Sequence, residues 1–268
     1  MRDRVFILAY RPEGPQELDS EPLLPRDLSP DWDPDDWQIG DYLDDDASIE
    51  NLADYKLSDT ELMWVEAWQE FVERIDSDHL PGFPIWVDAF RTRPRIPDGT
   101  PAWKVDFLMK NSAFYNDHRT VIDDWLAEPW GQEGLMVEDF PESRRKFEWQ
   151  ARKSQPTRAE RDLSKLVLQF RPSGIRVKPA TYLPALVAIT QTSVIGARMR
   201  RITPREAARL QGMPPDVFSK AGVSDKAAYK QLGNAVNVGV VRAAAGALFE
   251  AGDASWLAKQ PVKLRQVV

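Results

Sequence analysis

The stretch Arg201-Ile202-Thr203-Pro204-Arg205-Glu206-Ala207-Ala208-Arg209-Leu210-Gln211-Gly212 carries helix punctuation at both ends. Thr203 is the predicted N-cap. Pro204 stands at the first helical position, where its missing N–H costs nothing because first-turn donors have no intrahelical acceptor. Glu206, three residues after Thr203, completes a capping box, and Gly212 can take the left-handed turn that closes a helix. Beyond it, a second helix is predicted from Ser224 toward Leu232, Gly233-Asn234 breaks the chain, and a third helix runs from about Val236 to Ala251 with Gly252 behind it.

These segments resemble two consecutive motifs of the DNA cytosine-5 methyltransferase family. The run from Arg201 to Pro214 is similar to its ninth motif. Tyr229-Lys230-Gln231-Leu232-Gly233-Asn234-Ala235-Val236-Asn237-Val238-Gly239-Val240-Val241 is similar to its tenth. At the other end, Arg2-Asp3-Arg4-Val5-Phe6-Ile7 resembles the eighth motif, two arginines one residue apart leading into a strand. The family's glutamine two positions before that pair would fall ahead of Met1. Between the eighth and ninth motifs the family carries the target recognition domain that reads DNA sequence. Here Phe170 to Lys178 and Pro184 to Thr192 look like the closing part of such a domain, whereas residues 20–160 match only loosely.

The resemblance implies an α/β fold: the C-terminal part of a Rossmann-like methyltransferase sheet plus a mixed α+β target recognition domain. Residues 1–12 would form the eighth-motif strand, 13–200 the recognition domain, and 201–268 the ninth and tenth motifs. A partial sheet of this kind would expose an edge and an apolar helix face, and so be weakly stable or self-associating.

Outward from the motifs the chain is less clearly punctuated. Val5 to Tyr10 reads as a buried strand, followed by a Pro- and Asp-rich connection through Asp46. Ser58-Asp59-Thr60-Glu61 is another capping box. Behind it Trp64, Val65, Trp68, Phe71, Val72 and Ile75 recur at helical spacing, which makes a core face rather than a row of base-stacking groups. Pro81 to Pro97 is irregular. Short helices are predicted at Pro101 to Lys110, Arg119 to Leu126 and Glu142 to Ala151, and strands at Leu166 to Phe170 and Pro184 to Thr190.

Composition narrows the chemistry. The chain of 268 residues has no cysteine, so disulfides, thiolate metal sites and a cysteine nucleophile are excluded within it. His79 and His118 lie far apart, with no spacing that supports a metal site or a triad. No apolar run approaches the ~20 residues that span a bilayer, and the N-terminus lacks a signal-peptide cleavage site, so no membrane partner and a cytoplasmic location are expected. Net charge is −7, but unevenly distributed: Gln16 to Thr60 holds 15 acidic against 2 basic residues, and Glu142 to Leu210 holds 16 basic against 5 acidic. Such a basic segment either faces phosphates or pairs with the acidic one.

In the family, a cysteine thiolate adds to cytosine C6, and the activated C5 then attacks the methyl group of S-adenosyl-L-methionine after the base has been flipped from the stack. The Pro-Cys loop, the Gly-rich cofactor loop and the Glu-Asn-Val segment are all absent from this sequence. All three precede the eighth motif in the family. By resemblance, Arg4 would bond the flipped cytosine at O2 and Arg2 would support that pocket, while Gly233, Asn234 and Ala235 would complete the S-adenosyl-L-methionine site. Thr203 to Gln211, with Arg205 and Arg209, would scaffold the recognition domain. Duplex DNA would be read by Arg171, Ser173, Arg176, Lys178, Thr190, Gln191 and Thr192, with Arg144, Arg145, Lys146, Arg152 and Lys153 on phosphates. The expected protein is therefore the recognition half of a split enzyme of a restriction–modification system, inactive until an N-terminal subunit brings the cysteine. The alternatives are a truncated reading of one longer chain and a non-catalytic DNA-binding remnant.

Overall fold

Ser58 starts a helix where its capping signal places it. The computed structural model describes residues 37–77, 79–184, 186 and 192–251, and its first helix, α1, spans Asp59–Arg74. Glu61 N–H donates to the Ser58 hydroxyl, and the Glu61 carboxylate accepts from Ser58 N–H at 3.1 Å. The tryptophan face is core. Trp68 is fully buried, stacks on Phe147 at 4.6 Å between ring centres and meets Phe71 and Trp125. Its indole N–H donates to the Arg144 carbonyl at 2.9 Å, so its burial leaves no donor unpaired.

The elements then follow in chain order: β1 Ile85–Trp86, α2 Ala102–Asp117, α3 Arg119–Leu126, β2 Lys146–Trp149, β3 Leu166–Arg171, β4 Gly174–Pro179, β5 Val194–Ile195, β6 Arg200–Arg201, α4 Pro204–Leu210, α5 Val217–Lys220, α6 Asp225–Asn234 and α7 Val238–Ala251. The strands form one sheet in the order β1-β2-β4-β3-β5-β6, with β2 and β4 parallel and the other pairs antiparallel. The architecture is mixed α/β, and no helix among the described residues is long and apolar enough to cross a membrane. The expected strand from Val5 to Tyr10 and most of that from Pro184 to Thr190 lie outside the described residues.

Two helix expectations need correction. The helix expected over Glu142 to Ala151 is instead a 3-10 turn, Glu142–Arg144, followed by β2. Phe147 and Trp149 alternate inward between Lys146 and Glu148, the period of a strand, and Phe147 is paired with Ile85 on one side and Ile175 on the other. The helix expected to end at Lys110 runs on to Asp117, because Phe114 and Tyr115 extend its buried face and Asn111 is satisfied by Pro84 and Trp86. β4, which the sequence reading did not assign, forms a hairpin with β3 around Pro172-Ser173. Gly174 makes that turn possible: its φ is 133°, and a Cβ there would lie 2.8 Å from the Lys146 carbonyl oxygen.

The sheet separates two apolar clusters. Leu166, Leu168, Phe170, Ile175, Val177, Phe147 and Trp149 face α1–α3. On the opposite face Val167 and Ile195 pack with Ile202, Ala207, Ala208, Phe218, Ala228 and Leu232. The ninth-motif helices therefore share a sheet with the segment before them, and the boundary expected after residue 200 falls inside β6.

A buried ion pair fixes that junction. Arg200 and Glu206 are both fully buried, and two guanidinium nitrogens of Arg200 bond the two Glu206 oxygens at 2.8 and 3.0 Å. Glu206 also accepts from Thr203 N–H at 2.7 Å, closing the predicted capping box, and from Asp44 N–H at 2.9 Å. Arg200 gives a further bond to Asp46 at 2.8 Å. Around this core the acidic and basic segments pair: Asp46 also binds Arg198, Asp44 binds Arg205 and Arg209, and Glu61 binds Arg201. Of the two readings of the charge distribution, internal pairing holds for these residues.

Partial burial works against ionisation of Asp46, but the hydrogen bonds and charges of Arg200 and Arg198 outweigh it and hold the carboxyl below its ordinary value. Glu61 is lowered in the same way by Arg201 and by the Ser58 N–H, against its own desolvation. Glu206→Ala strands a buried guanidinium and is expected to cost about 3–5 kcal/mol in urea unfolding; a loss under about 1 kcal/mol would contradict the burial of Arg200. Both lowered carboxyls stabilise the fold above the ordinary carboxylate range of about 4 and lose that contribution as pH falls through their depressed values. Asp46→Asn/Glu61→Gln should therefore lose unfolding free energy less steeply on acidification than wild type, and equal acid slopes would reject this origin.

Candidate functional site

The C-terminal helices are tied together by side chains from the two recognised motifs. Tyr229 on α6 donates its hydroxyl to the Ile202 carbonyl at 2.6 Å, and burial raises its ionisation far above the ordinary tyrosine value. Gln211, at the end of α4, donates to the Leu232 carbonyl at 2.7 Å and accepts Val238 N–H on its own carbonyl at 2.9 Å. Asn237 donates to the Leu210 carbonyl at 3.2 Å, and its side-chain oxygen accepts Val240 N–H, which caps α7. Gly212 takes φ 73° at the predicted left-handed position, facing Val238 and Gly239.

This bracing leaves a turn with a distinct surface. Gly233 is buried, Ala235 is half-buried, and Asn234 is exposed and makes no side-chain hydrogen bond among the described residues. α7 follows with Val240 and Val241 exposed at 38% and 47%. Two apolar side chains in one turn of a nearly charge-free helix form a face suited to burial against further protein. Gly233 and Asn234, where a chain break was expected, end α6, and Ala235 is its C-cap, shortly before α7 begins at Val238. Arg2 and Arg4 lie outside the described residues.

The second candidate surface is the sheet face opposite α1–α3. Register places Glu148, Arg176 and Gln169 side by side across β2, β4 and β3. Arg171 and Lys178 lie two residues along their strands from Gln169 and Arg176, so alternation puts them on the same face. Glu148 holds Arg176 with contacts of 2.6 and 2.7 Å, and Arg171 approaches it at 3.8 Å. Lys178 is buried, its ammonium 5.3 Å from the Tyr182 ring; burial, then the Arg176 charge, lowers it below the ordinary lysine value. Ser173 is exposed at the hairpin tip, whereas Thr192 is buried. Thr190 and Gln191 lie outside the described residues. Among the expected base readers, Arg171, Ser173 and Arg176 thus retain accessible atoms, with the arginines steered by a carboxylate that the sequence reading did not single out. Alternating charges in Lys146-Phe147-Glu148-Trp149 were the available signal.

Three of the expected phosphate ligands have internal work. The Arg144 guanidinium lies 5.1 Å from both the Trp64 and Phe170 ring centres and donates to the Arg171 carbonyl. Arg145 pairs with Asp88 at 3.0 Å and donates to the Glu138 carbonyl. Lys146 pairs with Glu142 at 2.6 Å. Arg152 and Lys153 are exposed.

A family model described as C-5 cytosine-specific DNA methylase matches residues 1–250. The chain is 39% identical over 236 residues to the type II methyltransferase M.AluI of Cellulosimicrobium cellulans, covering 71% of this chain and 43% of that protein. It is 58% identical over 50 residues to M.NlaX of Neisseria lactamica and 56% identical over 50 residues to M.SsoII of Shigella sonnei, in each case 19% of this chain and 15% or 13% of the relative. The chain spans less than half the length of these curated relatives. No solved structure matches.

The two kinds of residue at the C-terminal turn separate experimentally. Tyr229→Phe removes a buried hydrogen bond and should lower stability by about 1 kcal/mol, while Asn234→Ala should stay within about 0.5 kcal/mol of wild type. Thermal unfolding of the two variants checks this; a large loss for Asn234→Ala would make it a structural residue.

Proposed function

Because the chain belongs to the C-5 cytosine-specific DNA methylase family, we propose that it is the part of such an enzyme that reads duplex DNA and completes the S-adenosyl-L-methionine site. The observation that carries this reading is the exposed, unpartnered Asn234 beside the apolar face of α7, both held rigidly by Gln211, Asn237 and Tyr229. A polar side chain with no internal role, on a braced turn at the rim of an apolar face, fits one wall of a cofactor pocket whose opposite wall lies on further protein.

Each region has a task in this reading. When bound, S-adenosyl-L-methionine supplies the electrophilic methyl group. Gly233, Asn234 and Ala235 line its pocket, with the buried Gly233 allowing close backbone approach and Asn234 supplying polar contacts. Arg4 hydrogen-bonds the flipped cytosine at O2, and Arg2 supports it. Arg171, Ser173 and Arg176 read bases, with Thr190 and Gln191, while Lys178 and Thr192 are buried and support the segments that carry them. Glu148 holds Arg176 in a fixed orientation before DNA arrives, which favours bidentate contact with guanine. The sequence has no cysteine, so the thiolate that adds to C6 comes from an N-terminal methyltransferase segment acting with this one. The type II relatives support a restriction–modification setting, and a cytoplasmic location belongs to this reading.

Methyl transfer from labelled S-adenosyl-L-methionine to DNA tests the reading, first with this chain alone and then with a polypeptide carrying the family's cysteine loop. No transfer alone and transfer in the mixture is the expected result. Transfer by the chain alone would refute the need for an outside nucleophile. Sequence-specific binding with no transfer in either case would make this a non-catalytic DNA-binding module.

A further inference from the structure

Three arginines on one loop have no partner in the fold. Arg91, Arg93 and Arg95 are exposed, and none makes a side-chain hydrogen bond or ion pair among the described residues. The contrast is with Arg74, Arg144, Arg145, Arg158, Arg171 and Arg176, which all have carboxylate or carbonyl partners.

The loop that carries them is nevertheless fixed. Phe90 stacks on Tyr115 at 5.7 Å and packs against Phe71 and Phe114. The buried Ser112 hydroxyl donates to the Arg91 carbonyl at 2.6 Å, and Asn116 donates to the Thr92 carbonyl at 3.2 Å. Pro94 and Pro97 further restrict the backbone. The carbonyls are therefore bound to α2 while the guanidinium groups are left in solvent. Arg91 and Arg95 line a cavity of about 160 Å³ together with Leu108 of α2. Lys104, one turn before Leu108 and so on the same helix stripe, is exposed and also unpaired. The one carboxylate on this rim, Asp88, is engaged by Arg145.

Like charges gathered on a fixed scaffold repel one another, and a pre-ordered backbone lowers the entropy cost of binding an anion to them. A polyanion that meets several guanidinium groups at once satisfies both conditions, and arginine's planar fork suits phosphate. Resting on the DNA-reading role proposed above, we propose that Arg91, Arg93 and Arg95, with Lys104, grip the phosphate backbone of duplex DNA without reading bases.

The test is fluorescence anisotropy of a labelled random-sequence duplex with the full chain over a salt series. Arg91→Gln/Arg93→Gln/Arg95→Gln should weaken binding tenfold or more at low salt and flatten the slope of log affinity against log salt by about two to three, since each phosphate contact contributes about 0.9. The loss should be equal on every duplex sequence, with an unchanged unfolding midpoint. Lys220→Gln/Lys226→Gln/Lys230→Gln removes the same charge from exposed sites on α5 and α6 and should leave the slope at its wild-type value. An unchanged slope in the arginine variant overturns the proposal, as does an equal flattening in the lysine control. So does wild-type DNA binding by the arginine variant accompanied by lost affinity for polyglutamate, which would assign the loop to an acidic protein. If wild type itself lacks salt-dependent affinity for DNA, the DNA-reading role fails as well; if only the variant's slope is unchanged, the loop assignment alone fails.

Discussion

The position of every element after β6 depends on the buried contact between Arg200 and Glu206. Arg200 belongs to the edge of the sheet and Glu206 to the first turn of α4, so their two bonds set the helix against the strand. Two ions removed from water are stable only when the remaining hydrogen-bonding capacity is filled. Glu206 meets that condition with four bonds: two from Arg200, one from Thr203 N–H and one from Asp44 N–H. One carboxylate thereby closes a helix cap, neutralises a buried arginine and anchors a segment about 160 residues earlier in the chain. α4 in turn fixes the next turn through Gln211 and Leu210, which hold the chain entering α7. The ordering that begins at the sheet edge ends at Asn234.

Pairing of this kind changes what the chain's charge means for its partners. Asp44, Asp46 and Glu61 neutralise cations of the ninth-motif region, and Arg144 to Lys146 are held by rings, carboxylates and carbonyls. The C-terminal end of the basic segment, Arg198 to Arg209, is therefore a structural counterpart of Asp44 and Asp46. Exposed cations remain elsewhere, among them the arginines that Glu148 orients on the sheet and the unpaired ones on the loop braced by α2.

Membership of the methylase family and a single shared sheet also bear on how the two halves of such an enzyme cooperate. Val167 and Ile195 pack beneath α4–α6, while residues two positions along β3 and across in β4 carry the polar face. β3 and the helices leading to Asn234 thus share one packed cluster. The apolar side chains at the start of α7 give that unit a surface on which further protein can close.

Local signals written in consecutive residues determined the capped helices. Ser58 with Glu61, and Thr203-Pro204 with Glu206 and Gly212, specify their helices because capping needs only neighbours within one turn. The order of the ninth and tenth motifs was legible for the same reason, as was the core role of Trp68 and Phe71. β2 was misread as a helix because four alternating residues are too few to outweigh the charged run before them, and Phe147 becomes a strand residue only through Ile85, Ile175 and Trp68. β4 escaped notice because a hairpin around Pro172-Ser173 becomes visible only when Gly174 is seen against Lys146. Which charges pair is likewise nonlocal: nothing near Arg200 in sequence announces Asp46, nor near Arg176 Glu148. Consecutive residues thus set where α1 and α4 begin, but not where α2 ends or that Lys146–Trp149 is a strand. Which cations are buried, which are oriented and which stay in solvent came from the fold, because long-range packing sets the partner and solvent access of each charge.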